Sequence, residues 1–274
     1  MLLKKNTKGN RLVSMKKGKV ELYINETLES KGAMLFSLID PIDYESKDTI
    51  VKTAKSLVEG GTDAVLIGGS TEVQGEFLDE IAKEIKDFVD VPLILFPGNI
   101  SSITKYADAI YFMSMLNARN PYWIIQAQML SGTTIKKFSI EPLPVGYIVV
   151  APGGTVGWVG DANLVPREKP KLAASLALAG EFLGNRFIIT DTGSNPRLQN
   201  SGHVPVEMIR AVKSTITIPY IVAGGILTPN DMRRVYQSGA DIVQIGTAFE
   251  DADHVLNKIR AFAKVVREEG KKKL

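Results

Sequence analysis

The sequence contains no cysteine among its 274 residues. This absence excludes disulfide bonds, thiolate metal sites, iron–sulfur clusters and a cysteine nucleophile, and it is in keeping with a cytoplasmic protein. Histidine is scarce as well, because His203 and His254 are the only two. Neither lies at the spacing of a metal-binding pair. Any chemistry must therefore depend on carboxylates, hydroxyls, backbone amides and metal ions.

Long hydrophobic runs are also missing. No run reaches the roughly 18 to 20 residues that a transmembrane helix needs, and no apolar stretch comes after the basic start as in a signal peptide. The formal net charge is +3, but residues 1–20 hold seven Lys or Arg and no acid, so the rest of the chain is acidic overall. This balance argues against nucleic-acid binding. We expect the basic arm to be a solvated tail, with peripheral contact to an anionic membrane surface as the alternative.

Short apolar runs alternate with segments of helical periodicity eight times along the chain. Helices are predicted at 47–59 and 76–88, for example. The near-continuous apolar character of the runs is typical of parallel strands that are buried on both faces. Eight successive strand–helix units predict a closed (β/α)8 TIM barrel of the α/β class. The predicted strands are 33–39, 64–67, 92–96, 109–112, 145–150, 187–190, 219–222 and 242–245.

An additional helix is predicted over 20–29, where it would close the base of the barrel. No linker or change of composition divides the chain from the first predicted strand onward. We therefore expect a barrel domain over 33–274, preceded by a basic arm and helix over 1–32.

Candidate site residues come directly after the strands, because the reacting groups of such barrels lie at the carboxyl ends of the strands. The first predicted strand ends in Asp40, which is followed by Pro41. A carboxylate held there suits Mg²⁺, and it equally suits the cap of a turn. The second strand ends in 68–71, Gly-Gly-Ser-Thr, whose hydroxyls suit phosphate or metal but also an ordinary loop and helix cap.

The last three strands give a stronger signal. Gly224 and Gly225 come after the seventh strand and Gly246 after the eighth, which is the arrangement of a phosphate-binding site. We therefore expect a phosphate-bearing substrate, although many unrelated reactions share this feature. Asp191, at the end of the sixth strand, is placed either to accept a proton or hydrogen bond from a substrate hydroxyl or to act as a structural acceptor.

Two further segments are candidates for substrate contact. Residues 151–170 contain four glycines and the cations Arg167 and Lys169, which predicts a basic lid that meets a diphosphate. Residues 112–125 are rich in large apolar side chains, which suits either helix packing on the barrel or a lipid groove.

Five motifs together resemble the geranylgeranylglyceryl phosphate synthase family, the archaeal prenyltransferases that make the first ether bond of membrane lipids. The similarity runs from about Gly32 to the end of the chain. The motifs are Leu38–Pro41, Ile67–Thr71, Met113–Pro121, Gly146–Gly157 and Ala223–Ile226.

The resemblance implies transfer of a geranylgeranyl group from geranylgeranyl diphosphate to the C3 hydroxyl of sn-glycerol 1-phosphate, in a homo-oligomer. It implies Mg²⁺ as cofactor, with Asp40 and Ser70 as ligands, and Asp191 as the catalytic residue. The implied contacts of the glycerol phosphate are Ile189, Thr190, Asp191, Thr192, Gly193, Ser194, Asn195, Gly224, Gly225, Gly246 and Thr247.

The chain departs from the family pattern at three of these positions. The family often has Tyr and Glu where this sequence has Ile189 and Asp191, and Asn where it has Thr247. The alternatives are a related synthase that uses a longer polyprenyl diphosphate, a phosphosugar isomerase or synthase on the same barrel, and a barrel that only binds a phosphometabolite.

Overall fold

Eight parallel strands close into a barrel in the computed structural model, which describes residues 17–69, 73–194, 201–250 and 254–274. Each strand pairs with the next along the chain, and the eighth pairs with the first. This confirms the predicted (β/α)8 TIM barrel. The strands are β1 (Met34–Ile39), β2 (Ala64–Ile67), β3 (Leu93–Leu95), β4 (Ala109–Met115), β5 (Glu141–Val149), β6 (Phe187–Asp191), β7 (Tyr220–Ala223) and β8 (Ile242–Ile245).

Helices surround the barrel and cover its outer face. The helix predicted over 47–59 is α2, and its Ser46 cap accepts a hydrogen bond from the backbone N–H of Thr49. The α-helices are α1 (Lys19–Lys31), α2 (Lys47–Gly60), α3 (Gly75–Lys86), α4 (Ala127–Phe138), α5 (Gly154–Val159), α6 (Pro170–Phe182), α7 (Val206–Lys213), α8 (Pro229–Gln237) and α9 (Val255–Gly270). Across the described ranges, no helix is long and apolar enough to cross a membrane.

The strands bury apolar side chains on both faces, as their sequence predicts. Phe36 and Ile189 belong to a cluster inside the barrel, whereas Leu35 and Ile188, their neighbours in sequence, belong to the layer between the strands and the helices. This alternation arises from the two-residue period of a strand. Because both faces of each strand are buried, most of the predicted polar site residues come at or beyond the ends of the apolar runs.

Helix α1 covers the amino-terminal base of the barrel. The backbone N–H groups of Val20 and Glu21 donate to the carboxylate of Glu141, which begins β5, at 2.8 and 2.9 Å. Ile24 is 1% exposed and packs with the interior cluster. The helix extends beyond the predicted 20–29 at its carboxyl end, where Gly32 caps it with a φ of 76°.

Three aspartates at the base hold neighbouring strands together. Each accepts a backbone N–H at the start of an adjacent strand at 2.9 Å and forms an ion pair with a lysine of a preceding helix. These contacts set the register from the end opposite the mouth. The acids are Asp63, Asp108 and Asp241, the lysines Lys31, Lys86 and Lys213, and the backbone donors Leu35, Leu93 and Tyr220.

The structure corrects several predictions. Strand β4 ends at Met115, beyond the predicted 112. Strand β5 begins at Glu141, earlier than the predicted 145, although Pro142 and Pro144 lie within it. The segment 151–170 is not wholly irregular, because it contains α5 and a bridge from Val150 to Val165. The guanidinium of Arg167 in this segment donates to three backbone carbonyls, including that of His203 at 2.8 Å, and the expected contact of the segment's cations with a diphosphate stays a prediction.

Candidate active site

A cavity opens at the carboxyl ends of the strands and collects side chains from most of the barrel. Asp40 enters from the end of β1 and Asp191 from the end of β6. Glycines at the ends of β7 and β8 form the wall between these two acids. Of the predicted site residues, eight line this cavity: Asp40, Asp191, Gly193, Ser194, Gly224, Gly225, Gly246 and Thr247.

Asp191 is held from two sides. The hydroxyl of Tyr147 donates to its Oδ2 at 2.7 Å, and the backbone N–H of Gly193 donates to its Oδ1 at 2.7 Å. The side chain is buried, and this burial raises the pKa of Asp191 while the two hydrogen bonds oppose the rise. A carboxylate with a raised pKa accepts a proton more readily than an exposed aspartate does.

Tyr147 is a site residue that the sequence analysis missed, because it lies within β5 and not at the end of the strand. It lies on β5 in register with Ile189, one inward-facing position below Asp191, and its phenol reaches up to the acid. Its ring packs edge-on against Phe96 at a centroid distance of 5.8 Å. The alternation of β5 places it inside the barrel, but only the pairing of β5 with β6 shows which acid it meets.

The glycines at the mouth differ in what they require. Gly224 has a φ of 79°, and a Cβ added there would lie 2.5 Å from Oδ1 of Asp191, so a side chain is excluded. Gly246 has a φ of −116°, and the atom nearest to an added Cβ, on Leu38, is 3.4 Å away. Gly224 therefore permits close approach of the backbone to the acid, whereas Gly246 keeps open space for a ligand.

The other residues predicted to bind the acceptor are placed differently. Ile189 packs in the barrel interior and the hydroxyl of Thr190 pairs with that of Tyr220 at 2.6 Å, so the structure does not bring either into the cavity lining. Thr192 is fully buried, and its hydroxyl has no hydrogen-bond partner within the described residues. Ser70 and Asn195 lie outside the described residues.

Acidic side chains gather on the β1 side of the mouth. Burial, followed by the charge of neighbouring Asp43, raises the pKa of Asp40 to about 6. Burial, and then the charge of Asp43, also raises the pKa of Glu250, which accepts a hydrogen bond from Thr247. Oδ1 of Asp40 is buried and has no hydrogen-bond partner in the part of the chain that the structure describes.

These acids bear on the predicted magnesium site. No group of three acidic or histidine side chains among the described residues could hold a metal ion by itself. Mg²⁺, however, is commonly bound by one or two carboxylates together with waters and substrate phosphates. The unpartnered oxygen of Asp40, next to an open mouth, fits that mode of binding.

An apolar groove continues from the mouth cavity. Met113, Met115 and Trp123 line both the mouth cavity and a second cavity, which extends outward along β4 to Ile100 and Ile103. Of the two alternatives for residues 112–125, this placement favours a groove, because these side chains face open space and not only the neighbouring helix. An extended apolar ligand is the kind of molecule that such a surface binds.

Comparisons with known proteins agree with this geometry. The family model described as the PcrB family matches residues 26–266. The geranylgeranylglyceryl phosphate synthase of Pyrococcus horikoshii is 52% identical over 235 residues, which are 86% of this chain and 90% of that protein. The enzyme of the same name from Methanothermobacter thermautotrophicus is 48% identical over 88% of this chain and 96% of its own.

A solved structure is similar over most of the barrel. It is (S)-3-O-geranylgeranylglyceryl phosphate synthase from Thermoplasma acidophilum in complex with its substrate sn-glycerol-1-phosphate, at 34% identity and a TM-score of 0.83. The match covers 89% of this chain and 98% of that one. The chain belongs to the PcrB family, with the geranylgeranylglyceryl phosphate synthases as its relatives.

Proposed function

We propose that this protein is a prenyltransferase that joins the geranylgeranyl group of geranylgeranyl diphosphate to the C3 hydroxyl of sn-glycerol 1-phosphate. The product is the first ether of an archaeal membrane lipid. The observation that carries the proposal is that a buried acid and a glycine-lined wall share one cavity, and that this cavity shares lining residues with an apolar groove. A phosphosugar enzyme would not need the groove.

The glycine-lined wall binds the phosphate of the acceptor. Gly224, Gly225 and Gly246 line the cavity beside Asp191 with backbone that carries no side chain, and their N–H groups are the donors for the phosphate. A phosphate fixed at that wall places the rest of a three-carbon acceptor near the acid. Such positioning supplies much of the rate enhancement in a displacement reaction.

Asp191 acts on the attacking hydroxyl. The oxygen on C3 of the acceptor forms a bond to C1 of the prenyl group while the bond from C1 to the diphosphate oxygen breaks. Asp191 accepts the hydroxyl proton, and inorganic diphosphate leaves with the bonding electron pair. Tyr147 holds the carboxylate in place by donating to Oδ2.

The cofactor in this proposal is Mg²⁺, with Asp40 as a ligand on the β1 side of the mouth and Ser70 as the second ligand. The bound ion would neutralise charge that develops on the leaving diphosphate. Asp40 contributes the buried, unpartnered Oδ1. Asp43 and Glu250 add negative charge nearby that favours a cation.

The apolar groove receives the prenyl chain. Met and aromatic side chains offer a surface that adapts to a flexible hydrocarbon. The start of this groove lies in the cavity that Asp40 and Asp191 also line. The donor and the acceptor therefore meet in the same cavity from two directions.

We also propose that the protein works in the cytoplasm as a homo-oligomer, with peripheral contact to the membrane that receives its lipid product. Large apolar side chains near the start of α4 support self-association, since Ile125, Met129 and Leu130 are 62%, 66% and 50% exposed. Light scattering of the purified chain tests this assembly, and a monomer at micromolar concentration would contradict it.

Transfer is tested by incubating the purified protein with both substrates and Mg²⁺. The proposal expects inorganic diphosphate and a geranylgeranylglyceryl phosphate product in equal amounts. Release of diphosphate without an ether product would leave the acceptor unidentified and would contradict the proposal.

A further inference from the structure

A buried glutamine on β8 lies on the floor of the mouth cavity. Gln244 is 2% exposed and lines the cavity together with Asp191, Tyr147 and Ala223. A buried amide carries two N–H donors and an acceptor oxygen, and leaving them unpaired is costly. Its partners therefore indicate what the site is built to bind.

One end of the amide is fixed by the protein. The hydroxyl of Tyr111 on β4 donates to Oε1 of Gln244 at 3.1 Å across the barrel interior. Tyr111 is itself 2% exposed and packs edge-on against Phe96 at a centroid distance of 5.5 Å. With its oxygen held in this way, the amide turns its nitrogen away from Tyr111.

The other end of the amide has no partner in the described parts of the chain. None of those residues accepts a hydrogen bond from Nε2 of Gln244, although the residue borders the cavity. The neighbouring lining from Leu38 and Phe96 is apolar and offers no acceptor. An oxygen of a ligand in the cavity is the group that would pair with these two N–H donors.

The register of the strands relates this donor to the proposed catalytic acid. Asp191 pairs with Ala223, and Ala223 pairs with Gln244, so the three side chains point into the barrel from neighbouring strands, with Ala223 between the acid and the amide. Neighbouring strands are about 4.8 Å apart, which puts the two polar residues on the order of 10 Å apart at their Cα atoms. The methyl group of Ala223 leaves the gap between them open.

From this arrangement we propose that Gln244 is a specificity-determining residue that donates a hydrogen bond to the C2 hydroxyl oxygen of the acceptor. The inference rests on the proposed function and deepens it. The C2 and C3 hydroxyls are on adjacent carbons, so an acceptor with its C3 hydroxyl at Asp191 presents the C2 oxygen to the gap above Ala223. Tyr111 acts through Gln244 and is a positioning residue.

The inference is tested with two acceptors that differ by one oxygen atom. 3-Hydroxypropyl phosphate keeps the phosphate and the C3 hydroxyl of sn-glycerol 1-phosphate but lacks the C2 hydroxyl. A site built to hydrogen-bond a hydroxyl discriminates against the analogue that lacks it. We expect kcat/KM of the parent protein to favour glycerol 1-phosphate by about 10-fold or more.

Gln244→Met removes the amide and keeps an unbranched side chain of similar length. The ratio of the two kcat/KM values is expected to fall to within about 3-fold of unity. Tyr111→Phe frees the amide without removing it, so the ratio should fall less and in the same direction. Gln237→Met, on the outer helix α8, is the matched control and should keep the parent ratio.

The outcomes separate the inference from the function on which it rests. A parent ratio near unity, or a Gln244→Met ratio equal to that of the parent, overturns the role of Gln244 while transfer itself still stands. If Gln244→Met does not fold, the Tyr111→Phe ratio decides in the same way. Failure of the parent protein to prenylate either acceptor overturns the proposed function and this inference with it.

Discussion

Tyr147 donates a 2.7 Å hydrogen bond to Asp191 from the neighbouring strand, and the backbone N–H of Gly193 holds the other carboxylate oxygen at the same distance. Two strands and a turn therefore fix the direction of a short side chain. The family pattern often places a longer acid at this position. Here the aspartate is buried and held by contacts on both oxygens.

Replacing Tyr147 by phenylalanine should move the pH dependence of the reaction. The phenolic hydrogen bond stabilises the ionised form of Asp191, so its loss raises the pKa of that acid further. The active form is the carboxylate, which predominates above its pKa, so the acidic limb of the kcat/KM profile should move to higher pH. We expect kcat at pH 7 to fall by about 10-fold.

The control for this variant is Tyr220→Phe. In the parent protein the hydroxyl of Tyr220 pairs with that of Thr190, away from the cavity. That variant should keep the parent pH profile. An acidic limb that stays in place in Tyr147→Phe would show that the tyrosine does not act on the acid.

Asp191→Asn should lower kcat by about 10²- to 10⁴-fold, because the amide keeps the size of the side chain but accepts no proton. Steady-state kinetics with saturating acceptor measure this loss. Near-parental kcat would leave Asp191 only a role in positioning the acceptor. Asp191→Glu should also lose activity, since the longer acid would displace the contacts to Tyr147 and Gly193.

Asp40→Ala should nearly abolish transfer and leave the fold intact, because it removes an anionic ligand of the metal that binds the diphosphate. Circular dichroism checks the fold, and a Mg²⁺ titration of the rate checks the role in metal binding. EDTA should stop the parent enzyme, and added Mg²⁺ should restore it. Asp90→Ala, at an exposed acid before β3, is the control. Full activity of Asp40→Ala, or of the parent in EDTA, would refute the magnesium site.

Substitution of the mouth glycines should separate the two substrates. Gly246→Ala has room for its methyl group, so it should fold and raise KM for glycerol 1-phosphate with less effect on the prenyl donor. Gly224→Ala has no room for its methyl group, so it must displace Asp191 and should lower kcat as well. A larger change in donor KM than in acceptor KM would mean that the two substrates are assigned to the wrong sides of the mouth.

Stability should depend on the aspartates at the base of the barrel. Asp241→Ala leaves the backbone N–H of Tyr220 without its partner and breaks the ion pair with Lys213, so the free energy of unfolding should fall by about 1 to 3 kcal/mol. Denaturant titration measures this change, and KM for both substrates should stay the same. Unchanged stability would show that the contact does not hold β7 in place.

Much of the fold is predictable from local pattern. The predicted bounds of β2 and β8 match the structure, because both strands are short and apolar, apart from Gln244 in β8, and each ends before a glycine. The predicted start of β5 is wrong. Proline is unusual inside a strand, so the sequence alone favours a start after Pro142 and Pro144. The carbonyl of Pro144 faces β6 and accepts from Arg186, and pairing with β6 begins only at Val145. The N–H that each proline lacks is therefore not needed for a hydrogen bond between β5 and β6.

The site is predictable where it lies at strand ends and not where it depends on contacts across the barrel. Asp40, Asp191 and the mouth glycines come at the ends of apolar runs, so the barrel rule locates them. Tyr147 and Gln244 look like interior residues of strands, and only the register of β5 with β6, and of β7 with β8, shows that they lie near Asp191. The partners of these side chains are 44 and 133 residues away in the sequence, so no local motif predicts the contacts.

Prenyl transfer itself is decided by offering the purified protein sn-glycerol 1-phosphate with prenyl diphosphates of increasing chain length and identifying the products by mass. We expect an ether product that is formed most rapidly from the 20-carbon geranylgeranyl donor and that requires both substrates. Formation of no ether product, or efficient transfer only from longer polyprenyl donors, would contradict the proposed function.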